Sequence, residues 1–230
     1  MNDKHGPPDT SSPFEDARRE MVARQIERRG IRDERVLQAM LSVPRHLFVP
    51  EEYVTASYTD EPLPIGERQT ISQPFMVAAM AEALLLKGAE RVLEIGGGSG
   101  YQAAVLSRLA REVIAVEAQT VLASSARERL ARLGYENVRV EEADGSMGWP
   151  LGAPYDAILV TAAAPSVPPP LVDQLADGGR LVLPVGTAEN QELIRIAKSE
   201  GRTSQETLFA CRFVPLVGRY GWQDRQTQRE

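Results

Sequence analysis

Hydrophobic and polar positions along this chain switch between helical and strand periods. Over 14–29 strong helix formers predominate, with Met21, Val22 and Ile26 available for one buried side and Gly30 as a stop. Over 33–42 the apolar stripe is Val36, Leu37, Met40 and Leu41, with Asp33 near the start and Pro44 just beyond the end. Residues 43–65 keep no clean period and predict loop with short helical turns. The strongly apolar stretch 75–86, closed by Lys87-Gly88, predicts a helix with Ser72 as N-cap and Pro74 in its first turn.

From residue 91 onward short apolar runs alternate with helical stretches. Strands are predicted at 91–95, 112–117, 137–141, 154–161 and 180–185, with helices over 103–109, 118–133 and 171–175. The run at 154–161 is apolar throughout its middle, as a parallel strand covered on both faces should be. Residues 191–197 and 207–217 read as further strands joined by a polar hairpin connection, 198–205. The expected fold is therefore α/β: a doubly wound, mostly parallel sheet with an N-terminal helical extension. The expected organisation is a polar tail over 1–13, a helical segment over 14–88 packing on the core, an α/β core over 89–222, and a frayed end over 223–230.

Candidate chemistry centres on Val92-Leu93-Glu94-Ile95-Gly96-Gly97-Gly98-Ser99-Gly100-Tyr101, a strand, a glycine turn and a helix start. A dinucleotide fingerprint wants a third glycine three residues after the second, and Tyr101 stands there. The spacing, with Glu94 before the loop, instead resembles the S-adenosyl-L-methionine loop of seven-strand methyltransferases. Glu94 then suits the amino acid part of that cofactor. Glu117, ending the next strand, suits the ribose hydroxyls, and Asp144-Gly145 past the third strand suits the adenine amino group. Each acid also has a plain explanation, a surface acid at a strand end or an Asp-Gly turn. Their order behind one glycine loop favours the ligand.

Composition narrows the field without naming a reaction. Of 230 residues, 43% are hydrophobic and 25% charged, as expected of one soluble domain with a substantial core. The net charge of −6 argues against nucleic acid as partner. No apolar run approaches a membrane span, and the polar start has no secretory signal, so the cytoplasm is the expected location. With one cysteine, Cys211, and two histidines, His5 and His46, neither a disulfide framework nor a metal cluster is expected. Cys211 reads as a buried inert thiol and His46, beside Leu47 and Phe48, as a hydrogen-bonded structural histidine.

Four stretches taken together resemble the protein-L-isoaspartate O-methyltransferase family. They are Val43-Pro44-Arg45-His46-Leu47-Phe48-Val49-Pro50, Gln69-Thr70-Ile71-Ser72-Gln73-Pro74, the glycine loop, and 156–165 with Gly178-Gly179-Arg180-Leu181-Val182. Arg212-Phe213-Val214-Pro215-Leu216 is similar to the family's C-terminal strand. The resemblance implies methylation of the free α-carboxylate of isoaspartyl residues in proteins and peptides, with repair proceeding through a succinimide. It implies Ser72 as the active-site residue. It also implies cofactor contacts from Gly96, Gly97, Gly98, Ser99, Gly100, Glu117, Asp144 and Gly145, with Thr70 and Ile71 nearby. The partners are isoaspartyl proteins and peptides, with a monomer as the default. Glu67-Arg68 replaces a glycine usual before the Gln-Thr-Ile-Ser run, and Ala143 another before the Asp-Gly turn. The rival readings are a methyltransferase for RNA or a small molecule, and a binding protein that kept the fold without the activity. The Thr-Ile-Ser-Gln-Pro run opposes the first and the undamaged glycine loop the second.

Overall fold

The computed structural model describes residues 13–223; the expected tails lie outside these except at Pro13 and Gln223. Helix α1 (Pro13–Met21) runs into a widened π turn, Val22–Ile26, and a tight 3₁₀ turn, Glu27–Arg29, before Gly30 stops the chain at φ 108°. The changes of winding keep Met21, Val22 and Ile26 buried together. Helix α2 (Glu34–Ser42) is capped by Asp33, whose carboxylate accepts the Arg35 backbone N–H.

A hairpin follows that the pattern did not reveal. Strands β1 (Leu63–Gly66) and β2 (Gln69–Ile71) pair antiparallel, and the two residues between them, Glu67 and Arg68, both adopt left-handed backbone (φ 49° and 57°). Non-glycine residues at such a turn hide it from sequence, since Asn-Gly or Asp-Gly is the usual signal. Helix α3 (Pro74–Ala83) starts from Gln73, which makes no side-chain cap, with Pro74 in the first turn. The expectation that Ser72 caps this helix is corrected: the chain enters one residue later, directly from β2.

The main sheet is built from β3 (Arg91–Ile95), β4 (Glu112–Glu117), β5 (Val138–Glu142), β6 (Tyr155–Val160), β7 (Leu175–Gly186), β8 (Gln191–Ser199) and β9 (Arg202–Cys211), in the order 5-4-3-6-7-8-9. The first five in that order are parallel; β8 runs antiparallel to β7, and β9 antiparallel to β8. Helices α4 (Tyr101–Ser107), α5 (Thr120–Arg132) and the short α6 (Pro169–Asp173) connect the parallel strands. Strand β7 begins earlier than expected because Leu175 pairs with Tyr155 and the glycine turn 177–179 forms an irregularity inside the strand. The polar stretch 198–205 is strand too, turning only at Glu200-Gly201. It escaped notice because most of β9 is an exposed edge, with no buried face to write a period.

The two faces of the sheet are unequally dressed. One joins the N-terminal helices, α3, α4 and α5 into a single core with Val92, Val113, Ala115, Ala157 and Val182. The other packs Leu93, Ile95, Ile114, Ile158 and Leu181 against α6, Trp149 and Leu216. Strand parity therefore turns Glu94 towards the helical face, beside Val92. The Val and Ile residues of β4 are fully buried, each contributing about 1.5–3 kcal/mol of hydrophobic stabilisation.

Candidate active site

The strand order reverses at β3, whose neighbours are β4 and β6, so the carboxyl ends of these strands diverge around a crevice. The glycine loop crosses that crevice. Gly96 and Gly97 both donate to the Val116 carbonyl (2.8 and 3.2 Å), which fastens the start of the loop to β4. Gly96 and Gly98 sit at φ 89° and 51°. Protein, rather than ligand alone, makes them necessary: a β-carbon at Gly96 would collide with the Thr161 hydroxyl, and one at Gly98 would press on Ile65 at 3.3 Å. Thr161 in turn donates to the carbonyl oxygens of Ile95 (3.0 Å) and Gly96 (2.7 Å). Gly97 has room for a β-carbon, and Gly100 is the left-handed entry to α4 under Leu130.

A cleft of about 840 Å³ opens over this loop. Thr70, Ile71, Ser72, Glu94, Gly96, Gly97, Gly98, Ser99, Glu117 and Gly145 all line it. Glu117 is held from two sides, accepting the backbone N–H of Gly98 (2.8 Å) on Oε2 and of Gln119 (2.9 Å) on Oε1. Glu94 is fully buried, and neither carboxyl oxygen has a hydrogen-bond partner among the described residues. Burial, and secondly the negative charge of Glu117, push its carboxyl well above the usual carboxylate range. Among the described residues no Lys, Arg or His lines the cleft. Two acids, one of them an orphan, fit a ligand carrying positive charge, as the ammonium and sulfonium groups of S-adenosyl-L-methionine do.

Two expected residues, Gly100 and Asp144, are not among those lining the cleft. The Asp144 carboxylate accepts Ser146 N (2.9 Å), Ser146 Oγ (2.7 Å) and Arg219 N (2.8 Å). It thus ties the C-terminal segment across the end where Gly145 lies. That segment was expected to be strand; from 212 onward it is an extended arm instead, held by Ala163 N–H to Val214 O (2.7 Å) and Leu216 N–H to Ala163 O (2.8 Å). Of the small residues after β6, Ala163 bridges Pro215 of this arm, Ala164 bridges Val185 at the end of β7, and Ala162 lines the cleft. Val214, Pro215, Leu216 and Val217 wall the cleft, as do Tyr101, Gln102 and Thr161; several of these lie in stretches that carry the family resemblance, but none was expected as a cofactor contact.

Ser72 lies at a junction. A second groove of about 1220 Å³ shares Thr70, Ser72, Thr161 and Val214 with the cleft and continues along Phe75, Phe209 and Phe213. His46 is structural, with Nδ1 2.8 Å from the Tyr58 hydroxyl and its ring stacked on Phe14. Cys211 is half-buried rather than buried, its thiol pushed up to about 11 by burial and then by Glu192. Among the described residues no metal-ligating cluster occurs, and no helix is long and apolar enough to cross a membrane.

The sequence model of the protein-L-isoaspartate(D-aspartate) O-methyltransferase family matches residues 16–221. A protein-L-isoaspartate O-methyltransferase from Methanoregula boonei is 54% identical over 94% of this chain and 99% of its own length. One from Geobacter metallireducens is 56% identical over 91% and 97%. A solved protein-L-isoaspartate O-methyltransferase superposes with TM-score 0.81 at 32% identity, covering 89% of this chain and 67% of that one. A Plasmodium falciparum structure, described as the same kind of enzyme in complex with S-adenosyl-L-homocysteine, gives TM-score 0.77 at 29% identity over 87% and 98%. Fold, glycine loop and relatives agree: the chain belongs to the protein-L-isoaspartate(D-aspartate) O-methyltransferase family.

Proposed function

We propose that this chain transfers a methyl group from S-adenosyl-L-methionine to the free α-carboxylate of L-isoaspartyl residues in damaged proteins and peptides. The ester then closes to a succinimide, from which part of the chain returns to normal aspartate. One observation carries the reading: Ser72 sits where the acid-lined cleft meets the second groove, whose wall includes Arg29 and Arg212 beside its phenylalanines, the place where a cofactor's methyl and a peptide's carboxylate would have to meet.

The protein's share of the work is placement. When bound, S-adenosyl-L-methionine supplies an electrophilic methyl on a sulfonium. The accepting carboxylate is ionised at neutral pH, so no general base is required, in keeping with a cleft that has no His or Lys in its wall. Gly96, Gly97, Gly98 and Ser99 would bring backbone to the cofactor, with Gly100 behind them turning the chain into α4, and Glu117, oriented by Gly98 and Gln119, would accept the ribose hydroxyls. Glu94 faces the amino acid end, Gly145 and Asp144 mark the adenine end, and Thr70 and Ile71 of β2 wall the opposite side. Ser72 donates a hydrogen bond to the substrate carboxylate and holds it in line with the methyl. Such orientation contributes up to roughly 7–11 kcal/mol in ideal cases.

The groove beside Ser72, with Phe75, Phe209 and Phe213, suits the peptide chain around the damaged residue. Proteins and peptides as substrates are consistent with a cytoplasmic enzyme, and we take the monomer as the working unit. The test is methyl acceptance by one protein before and after ageing at neutral pH. Labelled methyl incorporation should rise with ageing, and equal incorporation into fresh and aged protein refutes the assignment.

A further inference from the structure

The unusual group in the cleft is Glu94. Its carboxyl is completely buried at the carboxyl end of β3, it lines the cleft, and both oxygens lack a protein partner among the described residues. An isolated carboxylate in such a place costs several kcal/mol in lost solvation. No opposite charge in the surroundings offsets that cost. From β4 the facing charge is Glu117, a second acid; from α4 the neighbours in the cleft wall are Tyr101 and Gln102, the latter with its buried Nε2 likewise unpartnered among the described residues; after β6 it is the Thr161 hydroxyl, already donated to Ile95 and Gly96. Among the described residues no cationic side chain lines the cleft from any element.

We propose that Glu94 waits in the cofactor-free cleft as a neutral carboxylic acid and becomes a carboxylate when the α-ammonium group of the cofactor arrives, so that cofactor binding expels a proton. The step balances: the carboxylic acid and the ammonium ligand give a carboxylate–ammonium pair, and the proton leaves to solvent. Burial and the charge of Glu117 both raise the affinity of this carboxyl for its proton, and an ammonium within reach reverses that preference. The inference rests on the assignment of this cleft to S-adenosyl-L-methionine and adds to it that binding tightens with pH. In the sign convention of linkage, the cofactor-free site binds more protons than the loaded one, so affinity rises as pH climbs towards the raised value, and falls once the ligand's own α-ammonium loses its proton.

Isothermal titration of the full chain with S-adenosyl-L-homocysteine at pH 6.5, repeated in buffers of different ionisation enthalpy, counts the protons. At that pH the ligand's own α-amino group, with an ordinary value of about 7.7–8.0, arrives already charged, so a released proton comes from the protein. The expected result is net proton release with S-adenosyl-L-homocysteine and none with 5′-methylthioadenosine, which keeps adenine, ribose and sulfur but lacks the amino acid. The Glu94→Gln variant should bind with no proton release. Should that variant fold poorly, ¹³C-carboxyl NMR of the wild type gives the same answer through the titration of Glu94 with and without ligand. Binding of S-adenosyl-L-homocysteine with zero release or with uptake overturns the proposal and leaves the cofactor assignment intact. No binding of either ligand overturns the cofactor assignment itself.

Discussion

Glu117→Gln tests the cofactor site at its best-defined point. The native carboxylate gives one oxygen to Gly98 N–H at 2.8 Å and the other to Gln119 N–H at 2.9 Å. An amide of the same shape has one acceptor oxygen, so one of these backbone donors must face an NH₂ group. The free protein should lose about 0.5–1.5 kcal/mol for the missing bond, a drop in Tm of about 1–6 °C for a domain of this size. The ligand loses more, because the remaining acceptor sites for the ribose hydroxyls are charged only in the native side chain. Hydrogen bonds to a charged group contribute about 1.5–3 kcal/mol, so the Kd for S-adenosyl-L-homocysteine should rise about 10- to 150-fold. Isothermal titration of both proteins measures this directly. A 2′,3′-dideoxy analogue of the ligand separates the two effects in a double-mutant cycle. It should bind wild type and variant almost equally. Unchanged affinity for the natural ligand, or the same penalty for the dideoxy analogue, would refute the ribose assignment and leave Glu117 as a brace for the glycine loop.

Gly98→Val forces a β-branched residue into backbone at φ 51° and presses it against Ile65; strain of about 1–3 kcal/mol should leave the protein folded by circular dichroism while titration detects no cofactor binding. Since Ser72 caps no helix, Ser72→Ala and Ser72→Asp should both leave Tm nearly unchanged and keep cofactor affinity. Both should lower kcat/KM for an isoaspartyl peptide, Asp more than Ala because its charge repels the incoming carboxylate; wild-type turnover in Ser72→Asp would remove Ser72 from the reaction. Glu67→Asn with Arg68→Gly supplies the residues a two-residue turn of left-handed backbone prefers, and should stabilise by about 0.4–1 kcal/mol, a rise of about 1–4 °C measurable by thermal melting.

The parallel half of the fold was legible because its central strands β3, β4 and β6 are buried along most of their length and write short apolar runs; β4 falls on its expected bounds, 112–117. What could not be read was structure without a buried face or a turn residue. The β1–β2 hairpin turns on Glu67 and Arg68, and most of β9 is exposed. The glycine loop and its acids were visible from spacing, and the structure gathers Glu94, Glu117 and Ser72 around one cleft. The reasons behind them were hidden. The collision partner of Gly96 is Thr161, 65 residues away in sequence, and Asp144 is engaged by Arg219, 75 residues away. Pairings at that separation leave no periodic trace. Arg45 is a further case: this residue of the 43–50 stretch is completely buried, donating Nε–H to Ser57 O at 2.7 Å with its guanidinium over the Tyr101 ring, a placement nothing local in the sequence announces.

The central claim is that this cleft and groove together methylate an isoaspartyl α-carboxylate. The most direct measurement is product analysis by mass spectrometry on a pair of synthetic peptides identical except that one carries isoaspartate and the other aspartate, each incubated with the enzyme and S-adenosyl-L-methionine. The account predicts one methyl added to the isoaspartyl peptide, at the α-carboxylate, followed by loss of methanol to the succinimide, with the aspartyl peptide unchanged. Methylation of both peptides alike, of neither, or at an amide or amine position would contradict it.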